Sequence, residues 1–80
     1  MATGNLQRVF GRRIRAERLA RGLSQEQFAE VVGVHRTYMG GVERGERNLT
    51  LTSVEALCDR IGVDPVAMLQ PGEPAARPDL

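Results

Sequence analysis

Residues 24–45 hold two short helical patterns separated by a glycine, and this stretch most limits what the chain can fold into. The first pattern starts at Ser24, which fits a capping box with Gln27 three residues later. It stops at Gly33, because glycine most easily takes the left-handed conformation of a tight turn. The second pattern starts at His35, either as its N-cap or as its first residue. The stretch therefore predicts two short helices joined by a turn.

The second of these helices, expected to end near Arg44, has two different faces. Met39 and Val42 lie three residues apart, so both are expected to point into the core. Tyr38 lies between the faces, with its hydroxyl free to reach a phosphate. The outward face carries small or polar side chains, namely Arg36, Thr37, Gly40 and Gly41. Paired helices of this kind form the helix-turn-helix, which places its second helix in the major groove of DNA.

The adjacent Gly40 and Gly41 are unusual inside a helix, since each costs up to ~1 kcal/mol relative to alanine. Either another backbone approaches the helix closely at this point, or the packed unit simply tolerates the two glycines. Both interpretations stay open from the sequence.

A longer helix is predicted before this pair, from about Leu6 to Arg21, with Gly22 as its C-terminal cap. Glu17 and Arg18 lie where its apolar stripe should continue. One of them is therefore expected to be partly buried and to need a partner. The stripe itself consists of Leu6, Val9, Phe10 and Ile14.

Two further helices are predicted after the pair. The fourth begins after Thr50 or Thr52, with Thr52 and Glu55 spaced as a second capping box, and ends at Gly62. The short fifth begins at Asp64-Pro65, with the aspartate as N-cap and the proline in the first position. The inward residues of the second, fourth and fifth helices are expected to be Phe28, Val31 and Val32; Leu51, Val54, Leu57, Cys58 and Ile61; and Val66 and Leu69.

The 80 residues are enough for one domain, and no strand pattern or internal repeat is visible. Hydrophobic residues make up 41% of the chain and tryptophan is absent, so the core must be mostly aliphatic. Residues 70–80 contain three prolines and are predicted to be a disordered tail. The organisation expected is an all-α domain over residues 1–69 followed by this tail.

The composition disfavours several classes of protein. One histidine, a single cysteine (Cys58) and the lack of a glycine-rich phosphate loop argue against an enzyme, a metal site and a cofactor. No run approaches the ~18 consecutive apolar residues of a membrane span. The first residues also lack the apolar stretch of a secretory signal. A reduced, cytoplasmic setting is expected.

Charge is distributed unevenly along the chain. Residues 1–47 carry nine arginines and five acids, a net charge of +4, whereas residues 48–80 carry two arginines and five acids, a net charge of −3. The net charge of the whole chain is only +1. This asymmetry predicts a basic face on the N-terminal part, suited to nucleic acid, and leaves room for a protein partner on the acidic part.

One set of short motifs runs through residues 11–69. It consists of Gly11-Arg12-Arg13-Ile14-Arg15, Arg18, Gly22-Leu23-Ser24-Gln25-Glu26, Phe28-Ala29, Gly33-Val34, His35-Arg36-Thr37-Tyr38, Val42-Glu43-Arg44-Gly45 and Arg47-Asn48. With these residues the chain resembles the Cro/C1-type (Xre) helix-turn-helix family, and within it the controller proteins of restriction–modification systems. The resemblance implies a five-helix, lambda-repressor-like fold in which the second and third helices read DNA.

The resemblance also implies roles for individual residues. Gln25, at the start of the second helix, is expected to contact the DNA backbone, and Arg18 and Glu43 to form a buried ion pair between the first and third helices. Base edges and flanking phosphates are expected to meet His35, Arg36, Thr37 and Tyr38. Phosphates are expected to meet Arg44, Arg47 and Asn48.

The chain departs from the family at Glu17, where an apolar residue is usual, and at Gly41, where many members carry a base-reading side chain. Base readout is therefore expected to depend more on Arg36 and Thr37, or on DNA shape. An arginine at position 36 can bind guanine through two hydrogen bonds; the alternatives are a phosphate contact or a solvated side chain.

Other residues also have more than one interpretation. His35 is as well suited to capping the helix as to contacting DNA. Arg44 and Arg47 are expected to bind phosphate, or else to form surface ion pairs with Glu43 or Glu46.

These observations predict a cytoplasmic, sequence-specific regulator that binds double-stranded DNA. One recognition helix covers few base pairs, so a homodimer on a pseudo-palindromic operator is expected. The candidate dimer interface is the region of the fourth and fifth helices, with Val63, Val66, Met68 and Leu69. The alternative is a protein–protein interaction module, for example antitoxin-like, built on the same fold.

Overall fold

The computed structural model describes residues 5–71, which fold into five α-helices. They are α1 (Asn5–Ala20), α2 (Gln25–Val32), α3 (Arg36–Glu43), α4 (Leu51–Ile61) and α5 (Pro65–Met68). The all-α prediction is confirmed. The tail predicted for residues 70–80 lies, from residue 72 onward, outside the described residues. In the described part of the chain, no helix has the length and apolar character needed to span a membrane.

The ends of α2 follow from side-chain and backbone hydrogen bonds. Ser24 Oγ accepts a hydrogen bond from the Gln27 backbone N–H at 3.1 Å, and Gln27 Oε1 accepts one from the Ser24 N–H at 2.9 Å. This is the predicted capping box. At the other end Gly33 adopts a φ of 84°, the left-handed conformation that L side chains avoid. Both predicted ends of α2 are therefore confirmed.

The cap of α4 differs from the predicted one. Thr50 is the N-cap, and its Oγ1 accepts a hydrogen bond from the Ser53 N–H at 3.0 Å. The proposed capping box of Thr52 and Glu55 is wrong, because the helix has already begun at Leu51 and both residues lie inside it. The cap of α5 is as predicted, with the Asp64 carboxylate accepting from the Ala67 N–H at 3.3 Å.

The core lies between the helices that pack together: α3 packs against α1 and α2, α4 packs against α2 and α5, and α5 also packs against α1. Gly11 lets α1 and α3 come together, since a Cβ at this position would lie 2.7 Å from the Glu43 backbone oxygen and would also collide with that of Val42. The buried side chains that form the core are Phe10, Ile14, Phe28, Ala29, Val32, Met39, Val42, Val54, Leu57, Cys58, Ile61 and Met68.

Four residues predicted to point inward are exposed instead: Leu6, Val31, Leu51 and Val66. Leu6 and Leu51 lie in the first turns of α1 and α4, at the edge of the bundle. On α2 the core side is taken by Phe28, Ala29 and Val32, and Val31 is rotated away from it by about 100° because it precedes Val32 in a helix. The apolar faces are thus narrower than the sequence pattern indicated.

Cys58 is fully buried in α4. Burial raises the pKa of its thiol from 9.0 to about 11, and the negative charge of Asp64 adds to the rise. The folded state therefore favours the neutral thiol. This contribution to stability is complete below pH 9 and is lost as the pH rises from 9 to about 11, where the unfolded chain binds fewer protons than the folded one.

We expect Cys58 to resist a thiol reagent such as 5,5′-dithiobis(2-nitrobenzoic acid) near pH 8, because the reactive thiolate is both buried and disfavoured. After unfolding in guanidinium chloride the same residue should react rapidly and completely. The measurement is the rate of colour release, with Cys58→Ser as the blank. Equal rates in the folded and unfolded protein would contradict the burial of this thiol.

Candidate nucleic-acid interface

The turn between α2 and α3 is fixed by backbone hydrogen bonds. The N–H groups of Gly33 and Val34 both donate to the carbonyl oxygen of Ala29, at 2.8 and 2.9 Å. From α4, the guanidinium of Arg60 donates to the Val32 carbonyl at 3.3 Å. These contacts satisfy two of the last four carbonyls of α2, those of Ala29 and Val32, and they hold the turn from which α3 starts.

His35 is the N-cap of α3, and its ring nitrogen Nδ1 accepts a hydrogen bond from the Thr37 backbone N–H at 3.1 Å. Of the two roles that the sequence left open, the cap is the one that its geometry supplies. The imidazole nevertheless remains exposed beside Arg36 and Thr37, which are exposed as well. The first turn of α3 therefore presents three consecutive polar side chains to solvent.

Tyr38, which follows this exposed turn, and Gln25, the first residue of α2, are both half-buried. The side-chain amide of Gln25 donates to the Glu43 carboxylate at 3.1 Å. Its oxygen points toward Gly40 of α3, 3.5 Å from where a Cβ would stand. The start of α2 thus adjoins α3 at Gly40 and Glu43, which places Gln25 beside the second half of α3.

Gly40 and Gly41 are buried although they point away from the core, which corrects the prediction of an open outward face. Arginine side chains from the end of α3 cover both positions. A Cβ on Gly40 would lie 3.0 Å from Arg44 Nη1, and a Cβ on Gly41 would lie 3.2 Å from both Cγ and Nε of Arg47. The close approach that the sequence left open is therefore made by side chains and not by another backbone.

The two covering arginines have different partners. Arg44 is exposed and forms an ion pair with Glu46, with Nε 3.1 Å from Oε1. The guanidinium of Arg47 stacks over the ring of Tyr38, 4.9 Å from its centroid. Asn48 follows in the same loop with an exposed side chain. Three of the residues expected to touch phosphate thus lie in one segment at the end of α3.

Glu43 joins α1, α2 and α3 through its carboxylate. Arg18 Nε lies 2.7 Å from Oε2 and Arg18 Nη2 lies 3.1 Å from Oε1, which is the two-point geometry of a strong arginine–carboxylate pair. The remaining Nη1 of Arg18 donates to the Leu23 carbonyl at 3.0 Å. Only 2% of the Glu43 side chain and 11% of the Arg18 side chain are exposed. The pair holds α3 to α1.

Glu17, the other polar residue in the stripe of α1, is buried as well. Its carboxylate lies 3.4 Å from Arg21 Nη2, one helical turn further along. The expectation that one of Glu17 and Arg18 is partly buried with a partner therefore applies to both residues.

We expect Glu43→Gln to lower the free energy of unfolding by about 3–5 kcal/mol, because it leaves the Arg18 guanidinium largely buried without a counter-charge. Glu46→Gln is the matched control, since Glu46 pairs with Arg44 in solvent and such pairs contribute about 0–1 kcal/mol. Urea denaturation followed by circular dichroism measures both changes. Equal effects of the two substitutions would contradict the structural role assigned to Glu43.

The geometry defines the class of protein. Five helices, with α2, a glycine turn and α3 forming a helix-turn-helix, are the architecture of a DNA-binding regulator. The sequence profile of the family described as "Helix-turn-helix domain" matches residues 9–70, which is most of the chain. The chain belongs to the Cro/C1-type (Xre) helix-turn-helix family of transcription regulators.

Its relatives include controller proteins of restriction–modification systems. Control protein C.BamHI of Bacillus amyloliquefaciens is 38% identical over 68 residues, which are 84% of each chain. The crystal structure of the controller protein C.AhdI from Aeromonas hydrophila is 42% identical, covers 80% of this chain and 96% of its own, and has a TM-score of 0.66. These relatives are regulators and not enzymes, which supports the prediction of a non-enzymatic role.

A third relative has been solved together with DNA. The controller protein C.Esp1396I, as a tetramer in complex with its natural 35 base-pair operator, is 34% identical to this chain. The match covers 80% of this chain and 84% of that one, with a TM-score of 0.68. The fold described above is therefore one that, in this relative, binds an operator.

Proposed function

We propose that the protein is a cytoplasmic transcription regulator that binds a specific double-stranded operator as a homodimer, with α3 in the major groove. The observation that carries this proposal is the exposed first turn of α3, where His35, Arg36 and Thr37 stand side by side. The operator complex of C.Esp1396I supports the proposal, since that relative shares the fold. Gln25 and Arg44 both lie against Gly40 in the second half of the same helix, so the polar surface continues from the first turn of α3 toward the arginine-containing loop.

Arg36 is the proposed base-reading residue. Its side chain is exposed at the start of α3, and among residues 5–71 it has no ion-pair partner. A guanidinium in that state keeps its planar set of donors free for O6 and N7 of a guanine. Thr37 is placed to contact a thymine methyl group or a phosphate. His35 and Tyr38 adjoin these two residues and are proposed to meet base edges or flanking phosphates. The proposed contacts to the DNA backbone are those of Gln25, Arg44, Arg47 and Asn48.

Dimerisation is proposed because one eight-residue helix reads few base pairs. Two copies with recognition helices about 34 Å apart would meet successive major grooves on one face of the DNA. The proposed interface is the surface of α4 and α5, where Val66 is exposed and Val63 and Leu69 are half-buried. Met68 is only 1% exposed and packs in the core of its own domain, so it is better assigned to the fold than to the interface.

We expect Arg36→Ala to reduce affinity for the operator by roughly 5- to 150-fold, the equivalent of about 1–3 kcal/mol for a lost two-point base contact, with a smaller effect on random duplex DNA. Arg47→Ala should weaken binding to both DNAs alike and flatten the salt dependence by about one unit. Titrations at several salt concentrations measure both quantities. Equal losses on operator and random DNA for Arg36→Ala would remove this residue from base readout.

The operator for these titrations comes from selecting bound duplexes out of a random-sequence pool at low salt. A single enriched pseudo-palindrome is the expected outcome. If the folded protein retains no duplex at low salt, the DNA-binding proposal is wrong and the protein-interaction alternative takes its place. Enrichment of a single half-site would instead contradict the homodimer.

We expect Val66→Asp to convert the dimer into a monomer, because it places a charge in the proposed apolar interface. Val31→Asp is the matched control: Val31 has a similar exposure (60%, against 63% for Val66) but lies on α2, away from that surface. Sedimentation equilibrium at micromolar concentration distinguishes the two forms. A wild-type monomer, or an unchanged Val66→Asp dimer, would contradict the proposed interface.

A further inference from the structure

We propose that Gly41 and Tyr38 together form a seat that holds Arg47 in position for a DNA phosphate. In this inference, which rests on the proposed function, Tyr38 is a positioning residue for Arg47 in addition to any contact of its own hydroxyl. Gly41 is required because it leaves space for the arginine. The seat consists of the ring of Tyr38 and the Cα of Gly41, and the side chain of Arg47 lies against both.

The first contact in the seat is a cation–π interaction. The Arg47 guanidinium carbon lies 4.9 Å from the centroid of the Tyr38 ring, within the range in which the ring attracts a cation. The five N–H donors of a guanidinium point away from its central carbon in several directions, so contact with one ring leaves donors free. The side chain can therefore stay on the ring and still donate to a phosphate oxygen.

The second contact explains the unusual glycine. A Cβ at position 41 would lie 3.2 Å from Cγ and 3.2 Å from Nε of Arg47, which is closer than nearly all Cβ contacts. A side chain here would force the Arg47 side chain to shift by a few tenths of an ångström from its present position. A glycine destabilises a helix of eight residues, so its presence at a covered position fits a requirement for this space.

The backbone at the other end of the seat is held as well. The side-chain amide of Gln7, in the first turn of α1, donates a hydrogen bond to the carbonyl oxygen of Arg47. Arg44, the other covering arginine, is paired with Glu46. Arg47 has no carboxylate within ion-pair distance among residues 5–71, so its charge is not neutralised by a neighbour. It is the arginine of this loop best suited to meet a phosphate.

The seat restricts the Arg47 side chain on folding, before DNA is bound. Immobilising a long side chain on binding costs about 0.5–1.5 kcal/mol, which corresponds to roughly 2- to 12-fold in affinity. An arginine that already lies on Tyr38 has lost much of this freedom when the protein folds. The seat should therefore raise affinity for any duplex by a factor of this size, independent of sequence.

The test is a double-mutant cycle on random duplex DNA at low salt, with Tyr38→Phe and Tyr38→Leu each made in the wild type and in Arg47→Ala. Both keep an apolar side chain at position 38, but only phenylalanine keeps the ring. We expect Tyr38→Leu to bind roughly 2- to 12-fold more weakly than Tyr38→Phe in the wild type and equally in Arg47→Ala. The salt slope of Tyr38→Leu should remain that of Tyr38→Phe, because Arg47 still reaches the phosphate.

A difference between leucine and phenylalanine that persists at full size in Arg47→Ala would overturn the proposal, because Tyr38 would then act on DNA without Arg47. Gly41→Ala gives a second measurement that does not alter the ring. It should bind random duplex about 2- to 12-fold more weakly while its thermal stability stays equal or rises. Unchanged affinity of a folded Gly41→Ala would overturn the role of Gly41. Failure of the wild type to bind any duplex would count instead against the proposed function.

Discussion

The placement of α3 depends on the hydrogen bonds that the buried carboxylate of Glu43 accepts. This carboxylate lies in α3 and accepts hydrogen bonds from Arg18 of α1 and from Gln25 of α2, so one buried group connects three helices. The absence of a side chain on Gly11 brings the backbones of α1 and α3 close enough for these bonds to form. Because burying an unpaired carboxylate is costly, an arrangement of the three helices that separated Glu43 from Arg18 and Gln25 would be strongly disfavoured.

Local signals in the sequence were sufficient to predict the ends of α2 and the start of α3. Ser24, Gln27 and Gly33 act through bonds to residues at most four positions away, so their roles could be inferred from spacing, whereas spacing left His35 open between a cap and a DNA contact. The choice between Thr50 and Thr52 depends on the direction in which the chain enters α4, which spacing does not record. Neighbouring polar residues with equal capping ability therefore remain ambiguous until the loop before them is known.

The burial of Gly40 and Gly41 under arginine side chains could not be predicted from the sequence, for a different reason. A glycine has no side chain whose polarity indicates its surroundings, and the arginines that cover the pair come from the loop after α3. The apolar pattern of α3 contains no information about side chains that reach back from that loop. The exposure of Val31 was also missed, because its apolar side chain indicates burial while the core side of α2 is taken by Phe28, Ala29 and Val32. The DNA-contact roles carried over from the family are still predictions.

The proposed interface contains arginines in three physical states. Arg36 has no ion-pair partner among the described residues, Arg44 is paired with an acid, and Arg47 is stacked on a ring. Arginine therefore supplies an unpaired guanidinium at position 36, one whose charge is partly neutralised at position 44, and one held against a ring at position 47. The sequence uses arginine and no lysine, so these three states can be distinguished only from the contacts in the structure.

Eight residues with a pair of glycines are too few and too weakly helix-forming to fold as an isolated peptide. The helix α3 exists because Met39 and Val42 are packed into the core and Glu43 is bonded to α1 and α2. The recognition element is therefore not a portable module that can be transplanted by itself. Under the proposed function, a change of operator preference has to be made by exchanging exposed side chains in place, and the first turn of α3 is the region that allows such exchange without loss of the core.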